Sequence, residues 1–279
     1  MILALWSNMT ISNNALSTVS NITIPESISF EMVDGLMILK VPNEEGYDNY
    51  LFDTGSEQII IDDNVTQGSF QVVSVDHTLE ANKITIDRLV LGSTSLSDIN
   101  AWALNLGFLE QQIKVDLKGV IGAQLLQDHS VMIDHEYNTI TFVEHSYNKC
   151  AIDKQYNVIS LDFVQEKNGL PIIELTIGEH ELRLGFDTGA NVCVFDTKFT
   201  ERLAAYSDLS DSNTALRDLK IQNCELKNVP YLIKSFDEIN ADRSQKIDGL
   251  ISADALSTKK IFIDSKRKKI FLLWDKSAA

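Results

Sequence analysis

Cysteine is scarce in this chain of 279 residues. Cys150, Cys193 and Cys224 are an odd number without CxxC spacing, so neither a disulfide framework nor a structural zinc site is indicated. Cys193, inside the apolar run NVCVF, reads as a small buried hydrophobe rather than a nucleophile. The five histidines show no HExxH-like spacing, and His129, His135 and His145 fall in polar, loop-like stretches where a surface position is expected. No apolar run approaches the roughly 18 residues of a membrane helix, so no helical span is expected. The start, MILALWSNMT, is apolar only briefly and has no Lys or Arg. It is a poor secretory leader, which leaves open both the cytoplasm and export with the leader missing from this sequence. Basic residues are outnumbered 24 to 40, and the net charge of -16 repels phosphate backbones and acidic membrane surfaces. No nucleic-acid or membrane partner is expected.

The local charge clusters read as turns. KRKK (266 to 269) falls between two apolar runs and is expected at a hairpin tip. Asp62 with Asp63, and Glu44 with Glu45, lack the spacing of a calcium loop. Asp134 and Asp264, closing VMID and IFID, are expected to form turns. Neither a metal nor a cofactor is expected. The sequons at Asn8, Asn21 and Asn64 carry meaning only in a eukaryotic secretory context.

What the chain does have is a repeat. LFDTGSEQIIID and LGFDTGANVCVFD both contain Phe-Asp-Thr-Gly, followed by a small residue and an apolar run. A shift of 134 lays Asp187 on Asp53, Gly169 on Gly35, and GLPIIEL (169 to 175) on GLMILKV (35 to 41). Downstream the shift becomes 130, placing Leu226 on Leu96 and GLISADALSTKKIFIDSKRKKIFL (249 to 272) on GVIGAQLLQDHSVMIDHEYNTITF (119 to 142). Seven of these 24 aligned positions are identical. The four-residue difference falls after each motif, where a hairpin of variable length fits. The chain is therefore a diverged tandem duplication.

Runs such as MILKV, EQIIID, KITIDRLVLG, SVMID and TITFV are β-branched and period-two, and recur in the second half, so the fold is expected to be all-β. Few and short helices are expected: TKFTERLAAYSDL (197 to 209), AQLLQDH and ADALSTK. The polar stretch EHSYNKCAIDKQYN (144 to 157) reads as a linker. The expected organisation is an N-terminal extension (1–25), an N-terminal lobe (26–147) and a C-terminal lobe (148–279).

One Asp-Thr-Gly is weak evidence, since it makes a good turn by itself. Two in equivalent places of a duplicated frame resemble the aspartic proteases of the retropepsin and pepsin superfamily, which carry one Asp-Thr-Gly-Ser or Asp-Thr-Gly-Ala per lobe. GVIGAQLL around Gly122 resembles that family's hydrophobic-hydrophobic-Gly element, which threads behind the catalytic turn. The resemblance covers most of the chain. It implies an acid-protease fold of two pseudo-twofold β-barrel lobes, with Asp53 and Asp187 as a dyad that activates water for peptide hydrolysis. Thr54 and Thr188 would lock the turns together across the axis, and Gly55 and Gly189 would turn the backbone and expose its amides. Ser56 would hydrogen-bond Asp53 where Ala190 offers nothing, making Asp53 the more readily ionised partner.

Two departures accompany the resemblance. The family's glycine-rich flap, with a Tyr in pepsin-like members, has no counterpart in composition: between Asp53 and Leu91 the only glycines are Gly55 and Gly68, with no Tyr, and none lies between Gly189 and Ile221. Ser252 stands where Gly122 does, and is strained there if the position requires φ above zero. The reading is an aspartic endopeptidase acting on peptide or protein, monomeric because one chain supplies both turns. The alternative is a non-catalytic relative that binds peptide or a partner protein in the cleft.

Overall fold

The computed structural model describes residues 26–73, 78–143, 156–165, 169–177, 179–201, 207–210, 213–216, 219–221, 224–226, 229–241, 243–256 and 260–275. The expected extension (1–25), the lobe boundary at 147/148 and His145 lie outside these residues. The first half forms β1 (Ile28–Val33), β2 (Leu36–Asn43), β3 (Gly46–Asp53), β4 (Ile59–Asp62), β5 (Phe70–Val73), β6 (Thr78–Leu91) and β7 (Thr94–Leu104). Helix α1 (Gly107–Ile113) follows, then β8 (Gly119–Gly122), a 3-10 turn (Ala123–Gln127), β9 (Ser130–Asp134) and β10 (Thr139–Val143). The second half repeats this order with β11 (Tyr156–Gln165), β12 (Pro171–Ile177), β13 (His180–Asp187), β14 (Cys193–Asp196), β15 (Ser207–Ser210) and β16 (Asn213–Leu216). It continues with β17 (Leu219–Ile221), β18 (Cys224–Leu226), β19 (Val229–Lys234), α2 (Asp237–Asn240), β20 (Gly249–Ser252), β21 (Lys260–Asp264) and β22 (Lys269–Asp275). The fold is all-β.

The duplication is visible strand by strand. β8 inserts between β3 and β4, parallel to β3 with Asp53 beside Gly122 and antiparallel to β4 with Ile60 beside Val120. β20 does the same between β13 and β14, with Asp187 beside Ser252 and Val194 beside Leu250. That close threading explains two glycines at one repeat position. A Cβ on Gly119 would stand 2.0 Å from the Ile60 carbonyl oxygen, and one on Gly249 2.2 Å from that of Val194.

Successive residues of a strand face opposite sides, and the strands around the site are buried on both: Phe52 and the adjacent Leu51 lie in different apolar clusters. Phe52, Ile121, Phe186 and Ile251 sit with Ile133, Ile140, Ile261 and Leu272 in one apolar cluster that runs through both halves. The halves meet in a six-stranded antiparallel sheet ordered β1, β10, β9, β21, β22, β11. Its centre pairs Met132 with Phe262, residues related by the repeat's own shift of 130.

Three local expectations change. Of the helix expected over 197–209, Thr197–Phe199 is a 3-10 turn, residues 200 and 201 are helical, 202–206 lie outside the described residues, and Ser207–Ser210 is a strand hydrogen-bonded to Asn213–Leu216. Apolar spacing there suits either state, and pairing decides it. His129 is buried, not at the surface, because it leads into β9 beneath the lobe junction. His135 is half-buried, its ring edge-on to Phe30 at 5.8 Å. Residues 266–268 are exposed at the β21–β22 hairpin tip, as the sequence indicates. Cys193 is buried.

Candidate active site

β3 and β13 each end on the aspartate of a Phe-Asp-Thr-Gly turn, and the two turns meet back to back. Thr54 accepts the Thr188 amide on its Oγ1 (3.0 Å) and donates that hydroxyl to the Phe186 carbonyl (2.6 Å). Thr188 does the reverse, accepting the Thr54 amide (2.9 Å) and donating to the Phe52 carbonyl (2.9 Å). Four buried bonds thus fix the turns to each other. A hydroxyl is the one short side-chain group that can accept and donate at once, which is why Thr fits. Sequence reading found the threonines and missed that Phe52 and Phe186 supply the acceptors. These acceptors are main-chain carbonyls that any residue would supply, so no residue type signals them.

The glycines bring the carboxyls together. A Cβ on Gly55 would lie 2.6 Å from Asp187 Oδ1, and one on Gly189 2.3 Å from Asp53 Cγ. Each turn therefore presents its bare Cα to the other's carboxyl. Asp53 Oδ1 accepts the amides of Gly55 (2.7 Å) and Ser56 (3.2 Å), and Asp187 Oδ1 accepts that of Gly189 (2.8 Å). Among the described residues, no amide or hydroxyl donates to the Oδ2 atom of either. Both aspartates are 0% exposed, so the site is closed in this conformation.

Burial governs their acidity. It pushes the Asp53 carboxyl well above the ordinary range, the negative charge of Asp187 adds to the rise, and the Gly55 and Ser56 amides pull back. Burial raises Asp187 to about 6, against the bond shared with Asp53 and the amides of Gly189, Ala190 and Gly55. The pair thus holds a proton well above the usual carboxylate range, and the two steps of titration belong to the pair.

Ser56 departs from its expected role. Its hydroxyl donates to the Gln58 carbonyl at 3.0 Å, and only its amide reaches Asp53. The reason for making Asp53 the more readily ionised partner is therefore removed. Ala190 is buried and touches the dyad through its backbone amide.

Each half carries a hairpin after its Asp-Thr-Gly turn. β5 pairs with β6 from Phe70 opposite Ala81 to Val73 opposite Thr78, and β15 pairs with β16 from Ser207 opposite Leu216 to Ser210 opposite Asn213. Their connecting residues, 74–77 and 211–212, lie outside the described ones. Gly68 serves the approach to the first hairpin, since a Cβ there would lie 2.4 Å from the Ala81 amide nitrogen. Asp62 is more than a turn residue: its Oδ1 accepts the Leu106 amide at 2.7 Å. Among the described residues no group of three or more His, Cys, Asp or Glu could hold a metal ion.

Among solved structures, the chain is similar to basic 7S globulin from soybean, with a TM-score of 0.53 and 9% identity over 89% of this chain and 94% of that one. No family model and no curated protein sequence matches it. The two-lobe fold is pepsin-like. At 9% identity the likeness carries the fold and leaves the chemistry to the residues.

Proposed function

We propose that the chain is an aspartic endopeptidase, hydrolysing peptide bonds with a water activated between Asp53 and Asp187. One observation carries this reading: two glycine-faced carboxyls, each from a copy of the same turn, are buried against each other and locked by reciprocal threonine bonds. Two adjacent carboxyls in a dry site share one proton because both cannot ionise. The ionised member takes a proton from water as it attacks the scissile carbonyl, and the protonated member donates to the developing oxyanion. Collapse of the tetrahedral intermediate then passes a proton to the leaving amine. Everything needed is a pair of carboxyls, so no metal or cofactor is invoked, and one chain suffices without a dimer. An extended peptide would enter between the lobes and pair with strand edges. With both aspartates at 0% exposure, entry requires the site to open.

The second reading is a non-catalytic protein that uses the same cleft to bind peptide. It is favoured by the likeness to a protein named as a globulin rather than a protease. Cleavage of a mixed peptide library from about pH 3 to 7, against Asp53→Asn, separates the two. Dyad-dependent cleavage supports the endopeptidase, and its absence at every pH supports the binder.

A further inference from the structure

The repeat places Lys260 where the first half has Ser130, and Asp264 where it has Asp134 (each pair 130 apart). That single exchange makes the two ends of the central β9–β21 pair chemically different. At one end Lys260 Nζ meets Asp134 Oδ2 across the lobes at 2.5 Å, with 16% and 13% of the two side chains exposed. The Lys260 amine also lies over the rings of Tyr137, from the first half, and Tyr156, from the second, at 5.4 and 5.5 Å. At the other end the lobes are joined by neutral bonds: Ser265 donates its amide to Ser130 Oγ (3.2 Å) and its hydroxyl to the His129 carbonyl (2.8 Å). Asp264 stays within its own half, paired with Arg267 at 2.8 Å.

We propose that Lys260 is a positioning residue that holds the two lobes in the register at which the Thr54 and Thr188 turns lock. Both strands of the pair lead to the site. β9 follows the 3-10 turn that begins next to Gly122, the neighbour of Asp53, and Lys260 opens β21 eight residues after Ser252, the neighbour of Asp187. A shift of β9 along β21 is therefore a shift of one turn against the other. Apolar pairs such as Ile133 with Ile261 exclude a one-residue slip, which would turn the buried side chains to the other face, but they carry no directional bond along the strand. A half-buried ion pair with fixed geometry is directional, and aromatic faces on both sides confine the ammonium. Burial alone would lower the Lys260 amine, yet the bonds to Asp134 and Tyr156 hold it above its usual range.

The structural claim is independent of catalysis, while its effect on turnover rests on the endopeptidase reading. Hydrogen exchange on the full chain tests it through the Thr54 and Thr188 amides, each bonded to the other lobe. In Lys260→Met these two amides should exchange about tenfold faster while ladder amides between β2 and β3 keep their rates. Lys260→Arg should restore protection, Tyr156→Leu should fall between, and Arg267→Met, which breaks only the same-lobe pair, should change nothing. Unchanged Thr54 and Thr188 amides in Lys260→Met and Tyr156→Leu overturn the proposal. So does a uniform rise throughout both lobes, or an equal effect of Arg267→Met. If peptides are cleaved, Lys260→Met should lower kcat at nearly constant KM, with recovery in Lys260→Arg. A wild type without cleavage sinks the endopeptidase reading and leaves the exchange result standing.

Discussion

Gly189 faces the carboxyl of Asp53 so closely that a Cβ would stand 2.3 Å from its Cγ, a separation no pair of unbonded carbons tolerates. Neither residue can be moved alone, because Asp53 Oδ1 is tied to the Gly55 and Ser56 amides. Gly189→Ala should therefore force the two turns apart. We expect dyad-dependent cleavage to fall at least about a hundredfold, while the fold survives as judged by far-ultraviolet circular dichroism. An alanine variant with wild-type turnover would show that the carboxyls need not sit at this distance.

The threonine lock predicts a difference between two small substitutions. Thr54→Ser keeps a hydroxyl able to accept the Thr188 amide and donate to the Phe186 carbonyl. Thr54→Val keeps the shape and strands both groups in a site with no exposure. Each orphaned buried group costs about 1–3 kcal/mol, so Val should lose roughly 2–6 kcal/mol in denaturant unfolding and Ser under about 1.5. Equal losses would mean that the reciprocal bonds contribute little.

Raised carboxyls make stability depend on pH in a direction opposite to the usual one for aspartate. In the unfolded chain Asp187 ionises near 3.8, and in the fold at about 6. Between those values the folded form binds more protons. Stability is thus fully present below pH 3.8 and is lost as pH rises through the folded value, by up to about 3 kcal/mol. Asp187→Asn removes that loss. Its melting temperature should exceed the wild type's at pH 7 and converge with it near pH 3.5. An offset that is flat across this range would contradict a raised carboxyl.

The sequence made the all-β character, the repeat and the meeting of Asp53 with Asp187 legible for one reason. Each is written twice, so a motif too short to trust alone was checked by its copy. What escaped depends on contacts between parts of the chain that the repeat does not relate. The Ser56 hydroxyl donates to the Gln58 carbonyl, a partner set by the backbone path rather than by residue type. The Lys260–Asp134 pair arose from a change in one copy only, invisible until β9 and β21 are placed side by side. His129 looked like a surface residue because its neighbours are polar, but the second lobe covers it.

Ser252 at the place of Gly122 separates two reasons for a glycine. Gly122 has φ -87 and ψ 177, an extended conformation open to any residue, so positive φ is not what the position demands. Space is: a Cβ there would lie 2.2 Å from the Gln58 carbonyl oxygen and 2.8 Å from that of Ser56. Ser252 fits its own lobe, 2% exposed, with its hydroxyl accepting the Ala255 amide at 3.3 Å. The chain after Asp187 must therefore stand farther from β20 than the chain after Asp53 stands from β8. Gly122→Ser should displace residues 56–58, and with them the Ser56 amide on Asp53, at about 2–4 kcal/mol and with loss of cleavage. Ser252→Gly should cost about 1 kcal/mol through chain entropy and one lost bond, with turnover kept. Denaturant unfolding of both variants decides the matter, since equal penalties would mean that the two lobes space these strands alike.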